Sequence, residues 1–411
     1  MAARLTANVW LVVFGPFAAG YFLSFFFRNV NAVISKDLAG EFALSSADLG
    51  FLTSMYLLAF AAFQLPLGVL LDRYGPRRVV ATLLCVAAAG ALVFGLARDF
   101  TTLSIGRALI GLGVSGGLMG AIKAFTLWFP LPRLALLSGL YLAAGGIGGL
   151  AATAPAEALL GPLGWRTLFF LLAALSVGAA LLIFLVVPEK KLPGEGATLR
   201  NQIAGFGQIF ASAAFWRIAA PLVVCHAGYL ALQGLWLGPW LYDVAGQARP
   251  AVAYYLLVTA LAYTVGSVFF GVSSDSLVRA GISRLTVFKA GLSVSLVMFA
   301  LLAAGVQTGL GAILVAYGFC TIAAALAYAL LTPLFPPEMT GRVNTASNML
   351  MFGCSFAFQW GVGAVLRLYP SEPGRYAPEG YAMALGILTA LQLAALAWLL
   401  PLREKPGTRK N

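Results

Sequence analysis

Apolar residues in this chain arrive in long runs. Runs of about 20 residues, the length a helix needs to cross a hydrocarbon layer of ~30 Å, centre near residues 21, 60, 88, 115, 148, 177, 229, 262, 296, 322, 354 and 391. The pattern predicts twelve helices with polar residues confined to the segments between them. The longest such segment runs from Pro188 to about Trp216. It begins with PEKKLPGEG, a turn-rich linker, and continues with LRNQIAGFGQIFASAAFW, whose pattern predicts an amphipathic helix on a membrane surface. The chain is thereby expected to divide into a six-helix bundle over residues 1–187, a linker over 188–216 and a second six-helix bundle over 217–411.

Composition explains why these runs must meet lipid. The 411 residues are 61% hydrophobic and only 10% charged, against about 25% charged in soluble domains. A water-soluble fold could not hide that much apolar surface. The four cysteines, Cys85, Cys225, Cys320 and Cys354, all fall in apolar runs with no metal-ligand or redox spacing, so they read as small packing residues. The first apolar run has no small-residue cleavage site after it and is expected to be a retained helix.

A net charge of +12 does not point to nucleic acid, because the charges sit in short groups between apolar runs and not along one face. With both termini placed in the cytoplasm, seventeen Lys/Arg fall on the cytoplasmic side, six on the opposite side and three inside spans. That bias is how an inner-membrane, multi-pass protein marks its orientation.

The second span ends in GVLLDRYGPRR (68–78), and GVSSDSLVRAGISR (271–284) follows the eighth. In both, glycine is followed four residues later by aspartate and then by arginines, at an offset of 203 residues. Such an echo is what a duplicated six-helix unit leaves behind. On these motifs, and over its whole length, the chain resembles the major facilitator superfamily of secondary transporters. The resemblance implies an all-α membrane protein with twelve transmembrane helices in two pseudo-symmetric six-helix bundles, working by alternating access. It also implies a cytoplasmic gate built from Gly68, Asp72, Arg73, Gly75, Arg77 and Arg78, with Asp275 and Arg279 as the looser second copy, where Ser274 and Ser276 flank the aspartate.

Ionisable residues within spans are costly, roughly 2.5–3.5 kcal/mol each, and therefore functional candidates. Arg28, in SFFFRNVNAV of the first span, is expected near mid-membrane beside Asn29 and Asn31. It either snorkels to the outer surface or faces a central cavity as a fork-shaped donor for carboxylate or phosphate. Arg107, in IGRALIGLGVSGG of the fourth span, either serves coupling or satisfies itself on a neighbouring helix's carbonyls. Lys123 lies sixteen residues further on and, at 100° per residue, points roughly 160° away. It is a second coupling candidate or a snorkelling lysine. His226, the only histidine, is either a packing residue or a proton carrier. No acid lies at an interior position; Glu157, near the outer end of the fifth span, comes closest. A cavity holding cations and no acids calls for an anionic cargo. Other polar or aromatic residues expected to line it are Ser115, Tyr141, Gln233, Trp236, Tyr328, Asn348 and Gln359, with Tyr56, Gln64 and Asn344 as further possibilities.

FFFRNVNAVISKDL, GLGVSGGLMGAIKAFTLWFP and GPLGWRTLFFLLAALSV narrow the resemblance to the anion:cation symporter and organophosphate antiporter branches. There a first-span arginine binds the substrate's anionic group, a role that carries over to Arg28. Phe27 and Val114 stand where the symporters often carry acids. Shifting Arg28 by the repeat offset reaches Ala231, so the antiporters' second fixed cation is missing. A small carboxylate is therefore favoured over a phosphate ester. The expected protein moves a small organic anion, by proton-coupled symport or anion exchange, as a monomer and with no cofactor or metal. The rival expectations are an exporter of lipophilic or cationic drugs and a membrane sensor that does not transport. An enzyme is not expected, because no nucleophile–base pair or metal cluster stands out.

Overall fold

The computed structural model describes residues 9–130, 133–190, 206–336, 339–370 and 375–402, without the side chains of residues 135, 272–276 and 278. Its elements are helical. A π-turn, Trp10–Phe14, leads into α1 (Gly15–Asn29) and α2 (Asn31–Glu41). Then follow α3 (Ser46–Leu96), α4 (Phe100–Val114), α5 (Gly117–Trp128), α6 (Leu134–Ala151) and α7 (Ala154–Val186). The second half begins with α8 (Ala213–Ala231), a π-turn at Leu232–Trp236 and α9 (Leu237–Asp243). It continues through α10 (Arg249–Arg279), α11 (Arg284–Ala303), α12 (Leu310–Thr321), a 3-10 turn at Ile322–Ala325 and α13 (Leu326–Leu331), and ends with α14 (Thr340–Leu366) and α15 (Pro378–Leu399).

Among the described residues ten helices are long and apolar enough to cross a membrane, with a shorter apolar run at Leu136–Ala151. Leu136–Ala151 supplies an eleventh span, and the twelfth lies in α3. At 51 residues a straight helix would be roughly 77 Å long, more than twice the hydrocarbon layer. Gly75 interrupts it at φ 80°, ψ 159°, a left-handed conformation open to glycine at little cost. Leu67 and Leu71 before this point pack with Val79 and Leu83 after it, so α3 is two antiparallel spans. The YGPR sequence thus makes the reversal while Pro76 restarts the helix, where its missing N–H costs nothing. Gly164, at φ 71° in α7, turns the fifth span into the sixth in the same way. Of the expected surface helix, residues 199–205 lie outside the described residues. Residues 206–210 are helical, with Phe206 and Ile209 buried and Gly207 and Gln208 exposed.

The first, fourth, seventh and tenth spans are broken part-way: at Val30, at Ser115–Gly116, at the Leu232–Trp236 π-turn and at the Ile322–Ala325 3-10 turn. These four breaks recur every third span, in keeping with an internally repeated architecture, and the fifth span is also interrupted, at Ala152–Thr153. At the second break the Ser115 hydroxyl donates to the Leu112 carbonyl at 2.6 Å, competing with the helix ladder.

Within the N-terminal half, glycines bring backbones into contact. A Cβ on Gly111 would overlap the backbone of Tyr56 in α3, and both belong to one tightly packed unit. Gly111→Ala is expected to destabilise the protein by about 1–3 kcal/mol, the usual cost of overpacking, seen as a lower Tm and lower yield in detergent.

Candidate functional site

A cavity of about 360 Å³ opens between the two halves. Spans one, two, four and five contribute one wall, through Arg28, Phe60, Ser115 and Tyr141; α8, α10, the tenth span and α14 contribute the other, through His226, Tyr263, Tyr328, Asn344, Asn348 and Phe352. Among these described lining residues Arg28 is the one Lys or Arg, and there is no Asp or Glu.

The position of Arg28 follows from the break behind it, since α1 ends at Asn29 and the chain turns at Val30. Its guanidinium lies 4.5 Å from the Phe25 ring centre, 5.1 Å from Phe352 and 5.7 Å from Phe60. Its buried Nε has no hydrogen-bond partner, and no described acid pairs with it. Aromatic faces attract a cation by about 0.5–2 kcal/mol but accept none of its in-plane N–H bonds.

His226 lines the same cavity. Its Nε2 lies 3.2 Å from the Tyr263 hydroxyl, and its Nδ1 is buried and unpaired. The Tyr141 hydroxyl donates to the Gly117 carbonyl at 2.8 Å, and its ring stacks on Tyr21 at 4.3 Å. Tyr328 donates to Asn348 Oδ1 at 2.5 Å. Arg28, Ser115, Tyr141, His226, Tyr328 and Asn348 are therefore brought together.

Other expected residues lie elsewhere. Arg107 is 1% exposed and outside the cavity lining. Its Nη1 donates to the Phe27 carbonyl at 3.0 Å, and its guanidinium packs 5.2 Å from the Tyr56 ring, so it holds the end of α1 one residue from Arg28. Lys123 pairs with Asp72, away from the cavity. Asn29 faces a small adjoining space of about 30 Å³ behind Arg28. Asn31 donates to Thr53 at 3.1 Å, Gln233 to the Leu256 carbonyl at 3.0 Å and Trp236 to the Gln359 carbonyl at 2.7 Å. Like the buried Gln359, these side chains lie outside the cavity lining, and Asn31 Oδ1, Gln233 Oε1 and Gln359 Oε1 are buried without a described partner.

At one end of the molecule, here called the Asp37 end, described hydrogen bonds join the two halves. Arg249 of α10 donates to both Asp37 carboxylate oxygens at 3.1 and 2.8 Å and to Glu157 at 2.5 Å. The Ser46 hydroxyl donates to the Gly363 carbonyl at 2.9 Å. Each of these bonds joins the first half to the second.

At the other end, the gate residues pair within the first half. Asp72 takes Lys123, while Arg78 lies 2.7 Å and Arg77 3.7 Å from Glu189. Arg77 also donates to the Phe184 carbonyl at 2.8 Å, and Arg73 lies over Tyr74 at 5.3 Å. Gly68 lies one turn before Asp72, Arg279 ends α10, and the Asp275 side chain lies outside the described residues. Asp72 and Lys123 are partly exposed, where an ion pair contributes up to about 1 kcal/mol. Asp72→Asn is therefore expected to slow transport several-fold and leave substrate affinity within about threefold; parallel uptake and binding measurements check it.

Sequence reasoning did not select Phe25, Phe60 and Phe352 around Arg28, Tyr263, Thr264 and Ser267 on α10, or Glu189 at the gate. The α10 residues carried a usable signal: Tyr263 and Ser267 are polar positions four apart in an apolar helix, hence on one face. The three phenylalanines carried none, being ordinary members of apolar runs.

Paired helical halves, long apolar spans broken part-way and a cavity between the halves are the architecture of a membrane transporter. The chain belongs to the Major Facilitator Superfamily, whose family model matches residues 17–359. A protein of Cupriavidus necator described as "Probable sulfoacetate transporter" is 26% identical over 70% of this chain and 71% of its own length. A "Probable nitrate/nitrite antiporter" of Thermus thermophilus is 28% identical over 57% of this chain, which spans 55% of that relative. Among solved structures, a bacterial homolog of the human lysosomal transporter Spinster, inward-facing and occupied, superposes with a TM-score of 0.76 at 17% identity, covering 96% of this chain and 98% of that one. It attests the shared fold.

Proposed function

We propose that this protein is a secondary active transporter of a small organic anion, with a carboxylate as the charged group. The observation that carries the reading is the Arg28 guanidinium, held against three phenylalanines in a cavity whose described lining has no acid. A cationic cargo would meet repulsion there, which disfavours export of cationic drugs. The two relatives, whose printed names cite sulfoacetate and nitrate or nitrite, support an anion.

In this reading the protein sits in the cytoplasmic membrane as a monomer with both termini inside. The Asp37 end is the outer end and is closed, so the state is inward-facing. Rocking of the halves, residues 1–187 against 217–411, exchanges this closure for one at the Asp72 end. Carrying one negative charge inward against 100 mV costs about 2.3 kcal/mol. Uptake therefore requires a co-transported proton or an exchanged anion, and His226 is the candidate proton carrier. The test is a thermal-shift panel of carboxylates, phosphate esters, amino acids and cationic dyes on purified protein. Stabilisation by carboxylates supports the reading, and stabilisation by dyes alone overturns it. Uptake into proteoliposomes under an imposed potential or pH gradient then separates symport from exchange.

A further inference from the structure

The cavity holds more than a counterion for Arg28. Three buried polar atoms on its lining have no partner: Arg28 Nε, His226 Nδ1 and Asn344 Oδ1. Arg28 packs against Phe352 of α14. On that helix Asn348 and Asn344 follow at four-residue steps toward its start and line the same cavity. At 1.5 Å per residue the two amides stand about 6 and 12 Å from the level of Phe352 along the axis. Asn348 is already committed through Oδ1, which accepts from Tyr328, so its amide N–H₂ remains for a ligand. Asn344 Oδ1 is left as an acceptor in want of a donor. Apolar residues also line the cavity, among them Met351 and Phe352 on α14 and Ile322 of the tenth span.

We infer that the cargo is an elongated monoanion, with its oxyanion on Arg28 and a hydroxyl, or a similar group that both donates and accepts, some 6–12 Å away on Asn344 and Asn348, joined by an apolar body. This deepens the organic-anion reading above and rests on it. The chemistry at each end excludes close alternatives. A simple fatty acid leaves Asn344 unsatisfied, and a buried polar group without a partner penalises the complex. A dicarboxylate brings a second charge to a level where the described lining offers no fixed cation, so that charge loses its hydration uncompensated. A hydroxyl donates to Asn344 Oδ1 and accepts from Asn348 Nδ2 at no charge cost.

The experiment measures binding of three homologous series to the full-length protein in detergent: straight-chain monocarboxylates, ω-hydroxy monocarboxylates and α,ω-dicarboxylates, each of about four to ten carbons so that the end-to-end distance brackets the ruler. The hydroxy acids are expected to bind about tenfold more tightly than the matching monocarboxylates and more tightly than the dicarboxylates, with an optimum at intermediate length. Asn344→Leu and Asn348→Leu should abolish the hydroxyl advantage while leaving the monocarboxylates bound. The ligand comparison on the unaltered protein stands even if these variants fold poorly. Equal binding of hydroxylated and plain acids, or tightest binding of dicarboxylates, overturns the two-ended site while leaving the anion reading in place. Binding by none of the three series, with dyes bound instead, overturns the anion reading and this one with it.

Discussion

Arg28→Ala is expected to weaken binding of the proposed anionic cargo by roughly 10²–10³-fold, with little change in the protein's own stability. Hydrogen bonds to charged groups contribute about 1.5–3 kcal/mol each, and a guanidinium offers a carboxylate two in parallel. Their loss therefore reaches about 3–4 kcal/mol even after partial compensation by water. The free protein gains no such bonds from Arg28: its described contacts are the faces of Phe25, Phe60 and Phe352, and its Nε is unpaired. Removing a cation without a partner acid spares the empty protein what removing a paired one would cost. Arg28→Lys should retain the charge but lose the fork geometry and so fall between the two. Calorimetry with a bound carboxylate checks the affinities, and the Tm of the ligand-free variants checks the stability. Arg107→Ala provides the contrast. That side chain is fully enclosed and donates to the Phe27 carbonyl, so its loss should lower Tm at least as much as affinity.

Arg28 and Arg107 also show how far the sequence could be read. Both are charges in apolar spans, and nothing in local pattern separates one that faces a cavity from one that faces a carbonyl. The distinction arises from α1 packing against α3 and α4, which periodicity does not encode. The spans were legible because lipid demands about 20 apolar residues per crossing, and the reversal at Gly75 because Gly-Pro with flanking charges punctuates it. The four helix breaks were not legible, and they displaced particular expectations. The angle between Arg107 and Lys123 assumes one unbroken helix, but the turn at Ser115–Gly116 resets the phase. Lys123 meets Asp72 instead, a partner 51 residues away in sequence. The π-turn at Leu232–Trp236 acts likewise on Gln233 and Trp236, which brace helices outside the cavity lining.

Gly363→Leu is expected to abolish transport while retaining substrate binding. A Cβ at this position would overlap the Ser46 carbonyl of α3 and crowd the Trp236 ring. Gly50 makes the reciprocal approach, its Cβ falling 2.9 Å from the Gln359 carbonyl and 3.2 Å from Trp236. The Gly363–Ser46, Gly50–Gln359 and Gly50–Trp236 contacts differ in one respect from that of Gly111 with Tyr56, because their partners belong to opposite halves. A clash inside one half has no exit except unfolding. A clash between halves is relieved by rocking them apart, so its cost appears as a population shift. Overpacking of about 1–3 kcal/mol changes the ratio of closed to open states by about 5- to 150-fold. Arg249 spans the same junction, but it is about 40% exposed, and pairs that exposed contribute up to about 1 kcal/mol apiece. Arg249→Ala should therefore shift the equilibrium in the same direction by less. Spin-label distances across the Asp37 end, from α2 to the start of α10, should lengthen in Gly363→Leu and partly in Arg249→Ala. A Gly363→Leu protein that keeps its closed-state distances and its transport rate would show that closure at this end does not use the Ser46–Gly363 contact.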